Sequence, residues 1–213
     1  MHRLLPLVSL CVCLALASPA LAARSGPEIK AQFDAGITAY DAGDYEKAFK
    51  LWMDLQYEDV AAMRNVAMML RKGQGTVRNP KKAEEIYLRA AQAGLPTAQA
   101  DLADMLLKGE AGPPDLQSAL PLLQAAAAAN HPVAQYQLGE LYETGAPPLV
   151  PQNLEVARQL YAASASHGMK DAAARLAFLG PPQQTQLGNT PKPGETGTAT
   201  VHPAIPAQAA PIQ

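Results

Sequence analysis

Asp101 and Asp104, and again Glu140 and Glu143, set two carboxylates three residues apart, which brings both to one face of a helix. A general acid and base would need such a pair, with the two groups driven to different proton affinities. On an exposed helix face, solvated carboxylates are the expected state instead. His131, His167 and His202 come from separate stretches and form no convergent ligand set, and H-E-x-x-H, a phosphate-cradling glycine loop and G-x-S-x-G are all missing. His131 and His167 fall where helices are expected to end, a place where a positive imidazole suits the helix dipole without any ligand. The residues therefore predict no catalytic centre, no metal site and no cofactor.

The two cysteines, Cys11 and Cys13, lie in an N-terminal stretch that reads as an address. Arg3 is the only formal charge before Arg24, the run from Leu4 to Ala17 is apolar, and Ala20-Leu21-Ala22 offers small residues where a signal peptidase reads. Residues 1–22 are expected to be a signal peptide cleaved after Ala22. The apolar run is shorter than the roughly 20 residues of a membrane span. Leu10 and Val12, which precede the cysteines, do not suit a lipoprotein signal. The mature chain would then lack cysteine, which removes disulfides, thiolate catalysis and sulfur-ligated metal together. Losing Arg3 lowers the 17 basic side chains to 16, against 19 acidic ones. That balance is no footprint for nucleic acid or an anionic membrane.

The carboxylates sit inside a repeat. Ala62, Ala98 and Ala134, each 36 residues from the next, open a stretch of the form A-x-x-x-[VL]-[AG]-x-x-[LY]. A period in this range signals stacked supersecondary units, each unable to bury its apolar face alone. Val66, Leu102, Leu138 and Leu176 lie four residues after the opening alanines Ala62, Ala98, Ala134 and Ala172, and Ala67, Ala103, Gly139 and Ala177 one further on. The branched residue fills a core, and the small one lets a neighbouring helix approach closely. Asp44, Asn79, Asp115 and Asn153 each precede a helical run at equivalent places, as N-caps would. Gly94, Asn130 and Gly168 mark the exits of those runs, and Gly73, Gly109 and Gly145 the exits of the runs before them. Two extra residues in the third repeat fall between Ala146 and Gln152, in a loop, where insertion costs little entropy. Pro121 predicts a late start or a bend in its helix, with Ser118 as an alternative cap. Gly180 onward is rich in Pro, Gln, Thr, Gly and Ala, and residues 181–213 read as a disordered tail.

Gly73 to Gly94, GQGTVRNPKKAEEIYLRAAQAG, with its flanking AMRNVAMML and AQADLADML, resembles the Sel1-like repeat, a relative of the tetratricopeptide repeat. Ala62, Val66, Ala67, Gly73, Gly75, Val77, Lys82, Ala83, Tyr87, Ala90, Ala91 and Gly94 carry the likeness, and Ala134, Leu138, Gly139, Tyr142 and Gly145 supply the next best stretch. The aromatic slots of the central repeat hold Leu106 and Leu123 instead. The resemblance implies an all-α, right-handed solenoid of antiparallel hairpins, about nine helices in all. The expected organisation is a linker over 23–32, a tetratricopeptide-like hairpin over 33–60, Sel1-like repeats over 61–97, 98–133 and 134–171, and a capping half-repeat over 172–180.

The resemblance also implies an interaction scaffold rather than a reaction. Positions two, six and nine after each opening alanine lie opposite the buried stripe and, in the implied fold, line the concave face. They are Arg64, Met68 and Arg71, then Asp104 and Leu107, then Tyr136, Glu140 and Glu143. From Ala62 to Ala93 there are seven basic and two acidic side chains, and from Ala98 to His167 two basic and seven acidic. The expected groove is therefore basic at one end and acidic at the other, with Met68 and Tyr136 as apolar anchors for a protein or extended peptide. An exported bacterial scaffold in the periplasm is the leading expectation. Its rivals are a subunit restraining an envelope sensor or assembly complex, and an envelope hydrolase of the kind suggested by β-lactam-binding relatives, which resemble cysteine-rich chains unlike this one. N-terminal sequencing of the exported protein should begin at or within a few residues of Ala23, and an intact Met1 on a cytoplasmic species would contradict export.

Overall fold

The computed structural model describes residues 24–182, so the expected signal peptide and most of the expected tail lie outside the described residues. Among the described residues the chain forms α1 (Gly26–Asp41), α2 (Tyr45–Leu55), α3 (Val60–Lys72), α4 (Pro80–Gln92), α5 (Pro96–Lys108), α6 (Leu116–Ala128), α7 (Pro132–Thr144), α8 (Leu154–Ser166) and α9 (Lys170–Leu179). Each helix packs on the one before and the one after it, which makes four hairpins and a single closing helix. The fold is all-α, a stack of repeats in the pattern that the 36-residue period requires.

The local punctuation carries this arrangement. Asp44, Asn79 and Asp115 accept from the backbone N–H three residues on, and Asn153 accepts from two, so all four are N-caps of second helices. Asn130 is the one non-glycine among the described residues with positive φ, at 62°, and it stands where Gly94 and Gly168 stand in the flanking repeats. Asparagine tolerates that left-handed conformation better than most residues, so the exit keeps its geometry without glycine. Gln99 and Gln135, matched positions one residue past the opening alanines, donate to the Ala91 and Ala127 carbonyls of the preceding helix. They satisfy acceptors near a helix end and tie successive hairpins together.

Packing follows the predicted slots. Val66, Leu102 and Leu138 are buried, as are Ala67, Ala103 and Gly139 beside them, and Tyr87, Leu123 and Tyr161 fill the second-helix side. Gly139 is fixed by contact: a Cβ there would stand 2.8 Å from Tyr161 Cε1. Gly36 is held in the same way by Trp52, whose Nε1 would lie 2.4 Å from such a Cβ. Beyond the third repeat Leu176 is half-buried and Ala177 exposed, with no further hairpin among the described residues to cover α9.

Three expectations are corrected. The segment expected as a linker over 23–32 is helical from Gly26, held at its start by hydrogen bonds from the Ser25 amide and hydroxyl to Glu28 and by Arg24 on Glu58. The helix containing Pro121 does not start late: Asp115 caps it through the Ser118 amide, and Pro121 lies inside it. His131 does stand at the exit of α6, its amide bonding the Ala126 carbonyl, but its ring serves the start of α7 instead of the end of α6, Nδ1 accepting from the Ala134 amide at 3.4 Å. Burial lowers its pKa, which keeps the ring neutral and able to accept.

Gly139→Leu should lower stability by about 1–3 kcal/mol or more, because Tyr161 leaves no room for the added atoms. Ala125→Leu, on an exposed face of α6, should change it by no more than about 0.5 kcal/mol. Thermal melts of the two variants followed by circular dichroism decide it, and equal losses would contradict the packing register.

Candidate functional site

The first helices of the hairpins, α3, α5, α7 and α9, are joined along one face by side chains that reach from each repeat to the next. Arg64 on α3 donates through Nε to Asp101 Oδ2 on α5 at 2.6 Å. Arg71, two turns further along α3, donates through Nη2 to Asp104 Oδ2 at 2.5 Å and makes a two-pronged pair with Glu110, its Nε 2.9 Å from Oε2. Asp104 also accepts from Lys108 at 2.9 Å and from Gln137 of α7 at 3.0 Å. Glu143 on α7 accepts the Tyr161 hydroxyl at 2.7 Å and pairs with Arg175 of α9. The result is a polar ladder across four consecutive first helices.

The face is sparingly hydrated at its centre. The side chains of Arg71 and Asp104 are 15% and 19% exposed, so their attraction is screened less than that of a surface pair. Burial alone would raise the Asp104 pKa, but the hydrogen bonds from Arg71 and Lys108 outweigh it and hold the carboxyl below its ordinary value. Glu110 is also lowered, chiefly by its hydrogen bond from Arg71. The Arg71 guanidinium is correspondingly raised, first by its hydrogen bond with Glu110. Burial, with help from a hydrogen bond to Glu140, pushes the Tyr136 phenol up to about 12. These shifts show how far Arg71, Asp104 and Glu110 hold one another in their charged forms.

The structure brings the eight predicted groove residues onto the first helices but rearranges their roles. Arg64, Arg71, Asp104 and Glu143 are ladder members. The anticipated bipolar groove is thus replaced at its centre, where the arginines of one repeat turn onto the carboxylates of the next. Asp101, Asp104 and Glu143 are likewise paired and only partly exposed rather than solvated. Met68 is no open anchor: it is half-buried against the core, its sulfur 4.0 Å from Arg64 Nη1. Leu107 is half-buried on the next core cluster, and Tyr136 packs on Tyr161 with ring centroids 5.6 Å apart. Glu140 is the exposed member.

Gln137 and Arg175 escape a stripe drawn through positions two, six and nine, and so does Asp101 as a pairing residue. All three stand three residues after an opening alanine, where Asn65 stands in the repeat before. A polar residue recurring beside the buried fourth position is the signal that would find them. Glu110 and Tyr161 lie outside that pattern.

The Sel1 repeat family model matches residues 29–52, 60–95, 96–131 and 132–169, so the hairpin expected to be tetratricopeptide-like is matched as a Sel1 repeat too. Among solved structures, the chain is 32% identical to a Sel1 repeat protein from Oxalobacter formigenes, with a TM-score of 0.64 over 68% of this chain and 59% of that one. A protective antigen of uropathogenic Escherichia coli with an SLR fold is 24% identical, with a TM-score of 0.65 over 71% of this chain and 33% of that one. An immunity protein from Pseudomonas aeruginosa is 20% identical, with a TM-score of 0.54 over 73% and 60%. The last two show the fold alone, and this chain spans between a third and three fifths of the length of these three. No curated protein matches the chain.

Arg71→Met should cost about 2 kcal/mol of stability, the order of hydrogen bonds to charged groups lost with their partners left half-buried. The folded-state pKa values of Asp104 and Glu110 are depressed, so the stability they supply is present above the ordinary carboxylate range and lost as pH falls through their folded values. Melting temperatures measured from neutral to acid pH should therefore fall less steeply for Arg71→Met than for the parent chain. Parallel curves would show that the ladder contributes nothing.

Proposed function

The chain belongs to the Sel1 repeat family, and on that premise we propose that it is an exported scaffold of the bacterial cell envelope that holds a protein or extended peptide on its first-helix face. The Sel1 repeat fold is generally a protein-interaction scaffold, and its members are typically non-catalytic. No helix among the described residues is long and apolar enough to cross a membrane. The proposed export fits the position of the folded unit: cleavage after Ala22 leaves Arg24, whose guanidinium bonds Glu58, Gln32 and the Asp54 carbonyl, at the start of α1.

One observation carries the proposed face. Its long side chains are already ordered from α3 to α9 by bonds to one another, so a partner would find a fixed surface and pay little rotamer entropy for ordering it. Glu140, exposed beside the Tyr136–Tyr161 pair, gives that surface a charged contact next to an aromatic one.

A photo-crosslinking amino acid placed at Glu140 or Lys108, both exposed on this face, should yield one covalent adduct with a partner in envelope fractions. The same group at Lys50, exposed on α2, should not. Adducts formed only from Lys50 would move the partner to the second-helix side.

A further inference from the structure

A second surface lies on the other side of the stack and is independent of the first-helix face. Between α4 and α6 the structure opens a cavity of about 410 Å³, and a second of about 320 Å³ lies beside it, lined by the loop from Gly109 to Asp115. The two share Glu84, Leu106 and Asp115 in their walls. Leu102 and Leu106 of α5 form the floor, with Leu88 of α4 on one wall and Pro121 and Leu122 of α6 on the other. Leu88 is 45% exposed, a large aliphatic side chain left in water at the mouth.

The opening has a cause in the sequence. Leu106 occupies the position that Tyr142 holds one repeat later, and Tyr142 packs against the core clusters on both sides of it. A leucine lacks the reach of that ring, so the floor of the earlier junction is not filled to the same height. Pro121, on the α6 wall, has no N–H to offer the Gln117 carbonyl one turn earlier. No residue of α6 ionises.

Charge at the mouth has one sign. Glu84 and Asp115 are the ionisable residues of the two cavities, and no cationic side chain lines either. Asp115 is occupied in capping its own helix, and its bonds to Ser118 hold it below its ordinary pKa and so ionised. The Glu84 carboxylate has neither an ion pair nor a hydrogen bond among the described residues. Lys82, on the preceding turn, is paired with Glu85 at 2.8 Å. An apolar trough whose ionisable groups are all carboxylates selects an occupant that brings apolar bulk and a cation together.

We propose that the α4–α6 groove docks a short linear segment of a partner protein in which a bulky aliphatic or aromatic side chain neighbours a lysine or arginine. The apolar side chain enters between Leu88 and Leu122, over Leu106. The cation meets Glu84, with Asp115 in the same rim.

The test is selection of a random heptapeptide phage library on the immobilised mature chain, followed by fluorescence polarisation of the enriched peptides. Enriched sequences should pair a basic residue with Leu, Met, Phe or Trp within two positions. Their affinity should fall about tenfold or more for Glu84→Lys and for Leu88→Asp, and stay unchanged for Glu140→Lys on the first-helix face. Leu88 and Glu84 are not core residues, and unchanged melting temperatures would show that both variants fold. No enrichment over an unrelated protein, peptides without a cation, or binding that resists both groove variants would each overturn the proposal. Peptides lost only with Glu140→Lys would overturn it too and would assign them to the first-helix face.

Discussion

A hairpin in this chain closes where a small residue on the first helix leaves room for a large one on the second. Gly139 against Tyr161 and Gly36 against Trp52 show the limit, since neither glycine could carry a Cβ without displacing an aromatic ring. At the equivalent sites Ala67 and Ala103 are fully buried. Close approach of this kind sets the spacing between helices, and through it the register in which one repeat meets the next. Every longer-range feature depends on that register holding to within a side chain's reach.

The ladder is the clearest case. Arg71 reaches Asp104 and Glu110 only because α3 and α5 lie side by side with their turns aligned. The same alignment brings Gln137 to Asp104 two helices further on and Arg175 to Glu143 four helices further on. These links join residues more than thirty positions apart, so they report tertiary spacing rather than local propensity. They also change what the charges can do: arginines committed to carboxylates of the next repeat act as struts, and the free electrostatics of the molecule move to the residues that remain unpaired.

The two sides of the stack consequently offer different surfaces. The first-helix face is polar, ordered and largely neutralised at its centre, with Glu140 left outward. The α4–α6 groove is apolar, incompletely filled and rimmed by carboxylate. Leu106, where the next repeat has Tyr142, and Pro121 inside α6 both line that groove.

The sequence alone determined the repeat and the buried stripe, because these rest on short-range rules. Asp44, Asn79, Asp115 and Asn153 cap helices through amides two or three residues away, and glycine or asparagine marks every exit but that of α2, because a positive φ is decided within one residue. Family membership was legible for the same reason, since its pattern consists of such positions. The partners of Arg64, Arg71 and Glu143 were not legible, because a helical wheel shows which face a charge occupies but not which residue of another helix stands opposite. The start of α6 also needed the tertiary structure: local rules allowed either Asp115 or Ser118 as its cap, and packing of Ala119 and Leu123 in the core accompanies the earlier start in spite of Pro121. The groove likewise depended on it, because an unfilled volume belongs to no single residue and exists only where α4, α5 and α6 fail to meet.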